Sequence, residues 1–462
     1  MSPPVARGAR ASASRLGRVC VRGLFLAGLV WLPNLGWVCP AAAEPLSAEE
    51  TPDFSPTTIV RSEVNAVMGA LHYGGSAVDD SANTAAGFPL LNAVSFNHDI
   101  RFTVDTSFTG RDLFRVRLRS GNFGPSGWFS NPPTPLTRLD VAFEEPLCGA
   151  GAEDCPRNLV TVNRAFLQVP LGAGLRLSAG SRIMQLDMLP VWPSVYNDAP
   201  ILELFQRAGA AGVYSRRVGS GFGLSWQPEG AWKGLSLAYA TVAPRGGLGD
   251  PGAGGLFTAA GGQTNTLQLG YTQPSWNLTA AYTRTAQGAL LRGTPLVSQL
   301  AAESSGGGIG SWSLAGYWQP AAAGWLPSIS AGWGQDRFDF STYPVAGVSG
   351  VRTTSWYVGL GWSDLFGSGS SLSMAVGAPT HVSRIEGPGD IAIDDSGLAF
   401  ELATLIRLSD TLSLTPAVFW LSRPRGAMAG TASLNQALFP GQGEGVSSLS
   451  VWGALVRATF RF

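Results

Sequence analysis

Residues 447–462 read SSLSVWGALVRATFRF and form an alternating segment at the end of the chain. Every second residue from Trp452 to Phe462 is apolar, and the residues between them include Arg457 and Arg461. Hydrocarbon requires every backbone polar group to be paired, a condition that only helices and closed barrels meet. A strand of about ten residues with one apolar and one polar face therefore predicts a transmembrane β-barrel. A soluble β-sandwich that ends in such a strand is the alternative.

Residues 95–122, SFNHDIRFTVDTSFTGRDLFRVRLRSGN, show the same alternation in two consecutive segments. The apolar face of the pair carries Phe96, His98, Ile100, Phe102, Val104, Phe108, Phe114, Val116 and Leu118. The polar face carries Asn97, Asp99, Arg101, Thr103, Asp105, Arg115, Arg117 and Arg119. A period of two is typical of strands with one lipid-facing side, so this stretch predicts a membrane hairpin. Placing Phe108 opposite Phe114 sets Asp105 opposite Arg117.

The first 43 residues have the features of a secretory signal peptide. Five arginines and no acid lie there, with a mostly apolar stretch at 24–38 and a small-residue cleavage site ending at Ala43. We predict a signal peptide at 1–43, a short periplasmic segment at 44–60 and a barrel at 61–462. A retained membrane anchor is the alternative, but the interrupted apolar stretch is short for a span of about 20 residues.

The charge balance of the mature chain argues against a nucleic-acid partner. Without the signal peptide, 26 basic residues face 31 acidic ones, a formal charge of −5. Only 13% of all residues are charged, yet the mature sequence has no run of the roughly 18 apolar residues that a helical span requires. These features indicate a membrane protein built from strands, with a large secreted β-protein as the alternative.

Cys148 and Cys155 are the two cysteines that remain after removal of the signal peptide. In an oxidising compartment such a close pair predicts a disulfide. A metal site is the alternative, but no histidine lies near them and their spacing is wide for zinc.

Counting back from Phe462, the alternation predicts sixteen strands joined in turn by short turns and long loops. Their approximate ranges are 61–73, 95–108, 113–121, 158–169, 174–185, 209–226, 234–242, 264–273, 276–287, 308–319, 326–340, 351–364, 370–379, 396–408, 411–423 and 447–462. An even number places both chain ends on the periplasmic side. Residues 136–144 also alternate, but a strand there breaks the order of turns and loops. We assign them to a loop, with fourteen or eighteen strands as open alternatives.

A barrel of sixteen strands is too wide to be filled by its own wall and encloses water, so we predict a pore. The predicted pore-lining residues are Asp99, Arg101, Asp105, Arg115, Arg117 and Arg119. The long segment after the fifth strand, a candidate constriction loop, carries Asp187, Asp198 and Glu203. If it folds inward, its carboxylates face a basic wall and create a transverse field that selects solutes by charge and size. The alternatives are that the arginines only hold strand register through Asp99 and Asp105, and that the segment lies outside the pore.

Aromatic residues lie in or beside many predicted strands, where amphipathic rings suit the membrane interface. They are Trp312, Tyr317, Trp318, Trp325, Trp333, Trp356, Tyr357, Trp362, Trp452 and Phe462. Sugar stacking inside the pore is the alternative role.

The sequence contains no catalytic signature. His72, His98 and His381 are scattered, and no nucleophile elbow or phosphate-binding loop is present. We predict no catalytic residues, no metal site and no cofactor. An outer-membrane barrel enzyme and a purely structural barrel are the alternatives to a pore.

Three stretches carry a family resemblance. SFNHDIRFTVDTSFTGRDLFRVRLRSGNF, NRAFLQVPL and LRLSAGSRIMQLDMLPV resemble the first hairpins, and the stretch entering the constriction, of the cyanobacterial outer-membrane porins called iron uptake porins. This family is related to the carbohydrate-selective porins, and the resemblance covers most of residues 60–462. It implies a trimer in the cell outer membrane, in contact with its lipid, that passes small hydrophilic solutes and inorganic ions, iron among them, by diffusion.

Overall fold

A computed structural model describes residues 57–76, 93–129, 134–145, 158–196, 200–286, 291–303, 307–340, 347–365, 369–387, 393–428 and 448–462. All of them belong to one compact unit, Ser55–Phe462. The predicted signal peptide, most of the predicted periplasmic segment, the proposed Cys148–Cys155 disulfide and Asp198 lie outside the described residues.

The chain forms a closed antiparallel barrel of sixteen strands, which confirms the strand number that the alternation predicted. Each strand pairs with its neighbours along the chain, and β1 pairs with β16. The strands are β1 Ile59–Gly74, β2 Ser95–Thr106, β3 Leu113–Gly121, β4 Thr161–Gly172, β5 Leu175–Met184, β6 Val218–Trp226, β7 Leu235–Ala243, β8 Thr264–Gln273, β9 Trp276–Ala286, β10 Gly308–Trp318, β11 Ser328–Asp339, β12 Gly350–Ser363, β13 Ser371–Glu386, β14 Ala399–Arg407, β15 Leu412–Ser422 and β16 Ser450–Arg461. Residues 136–144 lie in the loop after β3, as predicted.

Helical structure in the described residues is confined to the connections between strands. These residues form the α-helices α1 Gln185–Met188 and α2 Pro295–Glu303, and 3₁₀ turns at Pro135–Thr137, Glu203–Arg207, Gly230–Trp232, Ala259–Gly261 and Gly426–Met428. Neither α-helix in the described part of the chain has the length and apolar character needed to cross a membrane.

The connections alternate in length around the barrel. Those after odd-numbered strands contain at least ten residues, and those after even-numbered strands contain at most nine. The two ends of the barrel are therefore different, and we name them the long-loop end and the short-turn end. This asymmetry matches the predicted order of turns and loops.

The alternation of side chains sorts each strand into an outer and a lumenal face. On β16, Trp452 is 54% exposed on the outer face, whereas Val451 beside it is fully buried. The outer rings of Trp312, Trp333 and Phe462 are likewise exposed. Tyr357, which was predicted to lie at the membrane interface, faces the lumen instead.

Tyr357 is 1% exposed and packs in the lumen against Phe205, with ring centroids 6.4 Å apart. It lies one residue after the outward-facing Trp356, so the alternation itself directs it inward.

The register of the β2–β3 hairpin differs from the prediction. Asp105 lies opposite Arg115 and not opposite Arg117. The reason is the turn at 107–112, where Asp112 accepts hydrogen bonds from the backbone of Phe108 and Thr109. This capped turn removes residue 108 from the ladder and moves the pairing by two residues, which preserves the inward face.

The strand predicted at 209–226 begins at Val218. The backbone before it is incompatible with a strand, because Ala208 and Arg216 have φ angles of 48° and 56°. Val213 and Tyr214 are fully buried. Residues 209–217 therefore belong to the connection that enters the lumen.

Candidate functional site

The described residues between β5 and β6, 185–196 and 200–217, are here called the inward segment and fold into the barrel. Glu401, on the lumenal face of β14, holds the middle of this segment. Its carboxylate accepts hydrogen bonds from the Tyr196 hydroxyl at 2.8 Å and from the Leu202 backbone amide at 2.7 Å. Glu401 is fully buried. Because a buried carboxylate needs donors, these contacts fix the segment against the wall.

Further wall strands contact other parts of the inward segment. Arg457 on β16 donates to the carbonyl of Pro200 at 3.0 Å. Ser355 on β12 donates to the carbonyl of Gly209 at 2.7 Å. The contacted strands, β12, β14 and β16, lie on the side of the barrel away from β5 and β6. The inward segment therefore crosses the lumen.

Glycines in the wall give the inward segment room. A Cβ atom at Gly332 on β11 would collide with the carbonyl oxygen of Ala208. One at Gly359 on β12 would lie 2.7 Å from the ring of Tyr196. Glycine at both positions therefore lets the backbone of Ala208 and the ring of Tyr196 lie directly against the wall.

A second stretch after β3, residues 123–129 and 134–145, packs beside the inward segment. Leu139 pairs with Leu202 in an isolated β-bridge, and Trp128 packs edge-on against Phe419 of β15 with ring centroids 6.2 Å apart. The two stretches share a buried apolar cluster inside the barrel that includes Phe123, Trp128, Leu136, Leu139, Val141, Ile201, Leu202, Phe205, Val213, Tyr214 and Phe419. A sixteen-strand lumen is thereby partly filled with a packed core.

The predicted pore-lining residues of β2 and β3 all face the lumen as one polar wall. Arg115 lies 2.6 Å from Asp105, and Arg119 lies 2.5 Å from Asp99. Arg101 also approaches Asp99, at 2.8 Å. The sequence left open whether these arginines line the lumen or hold strand register through Asp99 and Asp105. Their side chains do both, since they face the lumen and Arg101, Arg115 and Arg119 pair with these two carboxylates.

Arg117 differs from its neighbours on β3. Its Nε donates to the hydroxyl of Thr103 at 2.9 Å. No carboxylate in the described part of the chain forms an ion pair with it. A half-buried guanidinium without a counter-charge leaves net positive potential on the wall.

Asp187 and Glu203 of the inward segment both lie inside the barrel. Asp187 accepts from Arg164 of β4 at 2.7 Å and from the backbone amide of Met184 at 2.9 Å. Asp187 therefore contacts the barrel wall at Arg164 of β4. Glu203 instead binds arginines of the connections between strands.

Glu203 lies 2.7 Å from Arg207, 3.0 Å from Arg138 and 3.3 Å from Arg292. Burial acts to raise the pKa of Glu203, but Arg207, Arg292 and Arg138 outweigh it and hold that pKa well below its ordinary range. Burial lowers the pKa of Arg138 to about 9, against the attraction of Glu203, so Arg138 stays charged at neutral pH. The Glu203 carboxylate thus forms ion pairs with three arginines.

Several arginines of the site were not predicted from the sequence. Arg216 pairs with Asp140, which joins the inward segment to residues 134–145. A cavity of about 330 Å³ opens beside them near the long-loop end. It is lined by Arg119, Arg138, Asp140, Ala142, Phe143, Asn163, Arg164, Met184, Glu203, Arg207, Ser215, Arg216, Arg217, Val218, Pro244 and Arg292. The loop arginines lack the period-two pattern that identified β3, so only their place in the fold reveals them.

The arrangement has the chemistry of a charged passage. In the described ranges, no group of three or more His, Cys, Asp and Glu side chains is placed to hold a metal ion. His98 lies opposite Ala66 on the outer face of β2, away from the arginines. Guanidinium groups and carboxylates in a partly filled lumen can orient and filter polar solutes.

Comparison with solved structures places the fold among bacterial porins. OprB of Pseudomonas putida superposes with a TM-score of 0.52 at 12% sequence identity, covering 88% of this chain and 94% of OprB. An anion-selective porin from Comamonas acidovorans gives a TM-score of 0.48 at 12% identity, covering 87% of this chain and 99% of that porin.

Comparison of sequences adds one relative. No family model matches the chain. An uncharacterized protein of Synechocystis sp. is 28% identical over 356 residues, which cover 71% of this chain. The matched region spans 59% of the length of that relative. The chain is thus similar to a cyanobacterial protein and has the porin-like fold of a closed sixteen-strand barrel.

Proposed function

We propose that this protein is an outer-membrane porin, a passive channel for small hydrophilic solutes and inorganic ions. The observation that carries the proposal is the inward segment, which crosses the lumen of a closed barrel and leaves an arginine-lined cavity beside it. A structural barrel needs no such internal wall of buried ion pairs, which is costly to desolvate. A channel needs it to select solutes.

The packing of the lumen supports a narrow passage. The apolar cluster of residues 123–129, 134–145 and the inward segment fills space beside β12, β14 and β15, while β2 and β3 keep polar side chains towards the lumen and β4 adds Arg164. Water and solutes therefore follow the arginine side. We infer a route for inorganic ions and small polar molecules along this side.

The charge of the passage bears on iron, which the resemblance to iron uptake porins suggests. A basic constriction repels a bare ferric ion and attracts anions. We propose that iron crosses as a small anionic chelate, if this protein carries it, and not through a protein-bound metal site.

The membrane and the assembly follow from the same proposal. The outer face of the barrel is largely apolar, with Trp312, Trp333 and Trp452 exposed, which suits contact with outer-membrane lipid. The signal peptide proposed at 1–43 would direct the chain across the inner membrane, leaving 44–60 as a periplasmic segment and 61–462 as the barrel. We further propose a homotrimer, on the ground of the family resemblance.

Planar-bilayer recording of the purified protein tests the proposal directly. We expect stepwise, voltage-independent conductance in potassium chloride. Absence of any current from correctly folded protein would contradict the porin function and favour a structural barrel. Turnover of a lipid or peptide that depends on a lumenal residue would favour an enzyme.

A further inference from the structure

The cavity beside the inward segment contains more positive than negative charge. Among the described residues that line it, seven are arginines and two, Asp140 and Glu203, are acids. Two further carboxylates do not line the cavity but pair with arginines that do. Asp99 pairs with Arg119, and Asp187 pairs with Arg164. The seven arginines therefore exceed these four carboxylates by three.

Two of the lining arginines have unused hydrogen-bonding capacity. Arg207 is 3% exposed, and its Nε has no acceptor among the described residues. Arg217 donates to the carbonyl of Gly262 at 2.9 Å and forms no ion pair with a carboxylate in the described ranges. A buried donor without an acceptor costs free energy, which an anionic ligand would recover.

Given the channel function proposed above, we propose that this cavity is a binding site for a doubly charged tetrahedral oxyanion, of the class of sulfate and hydrogen phosphate. Guanidinium groups match such anions because their planar N–H donors bond two oxygens at once. The partly desolvated surroundings strengthen this attraction relative to water. A monovalent halide satisfies fewer donors and compensates less of the surplus charge.

The site lies on the proposed route and not in a separate pocket. Arg119 lines the cavity, and Arg117 and Arg115 follow it along β3 towards the short-turn end at intervals of two residues. Inward-facing residues of a strand are about 6.6 Å apart, so an anion that leaves the cavity meets a new guanidinium at each step. Conduction requires such a series of sites, each of which binds and releases.

The test is a titration of chloride current in planar bilayers with the full mature protein. At constant ionic strength and pH 7.5, we expect added sulfate or hydrogen phosphate to reduce the chloride current along a saturating curve, and nitrate to leave it nearly unchanged. In Arg217→Gln, the half-inhibiting concentration should rise about tenfold, since one charge-assisted hydrogen bond is lost. The matched control is Arg111→Gln, whose arginine lies in the exposed turn at 107–112.

The outcomes separate this inference from the proposed function. A protein that conducts chloride but shows no saturable inhibition, or an Arg217→Gln variant that behaves as the wild type, would overturn the oxyanion site and leave the channel intact. A protein that passes no current would overturn the channel. In that case, calorimetric titration of sulfate into the detergent-solubilised protein decides whether the site exists. Binding that Arg217→Gln weakens would support it, and absence of heat would overturn it.

Discussion

The hydroxyl of Tyr196 donates a hydrogen bond to the carboxylate of Glu401 at 2.8 Å, although 205 residues separate the two along the chain. This bond joins the middle of the inward segment to the far wall of the barrel. The amides of Ile201 and Leu202 donate to the same carboxylate, at 3.3 Å and 2.7 Å. One buried side chain thus fixes three groups of the inward segment to β14.

Glu401→Ala should release the inward segment from β14. Three hydrogen bonds to a buried carboxylate are lost, so we expect a loss of about 3 kcal/mol of stability and a larger, noisier single-channel conductance. Thermal unfolding followed by circular dichroism and bilayer recording measure the two effects. The control is Glu386→Ala, which removes a carboxylate that pairs with Arg352 near the long-loop end. Unchanged conductance and melting in Glu401→Ala would show that Glu401 does not hold the constriction.

Gly332→Val should displace the inward segment by steric collision. Its side chain would enter the space of the Ala208 carbonyl, which the backbone cannot vacate without moving the segment. We expect a lower melting temperature and faster protease cleavage within residues 185–217. Gly249→Val is the control, because nothing lies within 4 Å of a Cβ at that loop position. Equal protease resistance of both variants would contradict the close approach described for β11.

The combined replacement Arg115→Gln, Arg117→Gln and Arg119→Gln should shift ion selectivity towards cations. These three side chains form the charged face of β3 in the lumen, and their removal leaves Asp99 paired with Arg101 alone and Asp105 with Arg61 alone. We expect the chloride-to-potassium permeability ratio, from the reversal potential in a salt gradient, to fall by roughly tenfold.

The control for this replacement neutralises Arg111, Arg284 and Arg337, which lie in a turn or on the outer face of the strands. Selectivity should stay at the wild-type value there. If the β3 variant also keeps wild-type selectivity, these arginines do not line the conducting path.

Acid should destabilise the constriction through Glu203. Its pKa is held below the ordinary value of 4.5, so the folded state binds fewer protons at this group than the unfolded chain. The stabilisation is therefore complete above about pH 4.5 and is lost as pH falls below it. We expect Glu203→Gln to be less stable at pH 7, because Arg138, Arg207 and Arg292 lose their common partner.

Chemical denaturation at several pH values checks this prediction. Between pH 7 and pH 3, stability should fall more steeply in the wild type than in Glu203→Gln. Parallel pH profiles of the two proteins would show that Glu203 makes no pH-dependent contribution.

Much of the barrel could be predicted because strand alternation is local. The face on which Arg115, Arg117 and Arg119 lie follows from the parity of their positions, and parity survives the two-residue error in the register of Asp105. The order of short turns and long loops favoured sixteen strands over fourteen or eighteen, and the closed barrel confirms sixteen.

The path of the inward segment could not be predicted in the same way, because its contacts are non-local. Nothing near Glu401 in the sequence indicates that it binds Tyr196. Arg216, which pairs with Asp140, lies in a stretch that was predicted to be part of a strand. Backbone conformation decided that difference, since Ala208 and Arg216 adopt left-handed angles that no strand accepts.

The sequence by itself determined that this chain forms a β-barrel with an apolar outer face and with arginines on the inner face of β3, because each strand carries its own period of two. Only the tertiary structure decided how much of the lumen is filled and where the surplus arginine charge gathers. Those properties depend on pairs such as Arg457 with Pro200, 257 residues apart, which come together only when the barrel closes around the inward segment.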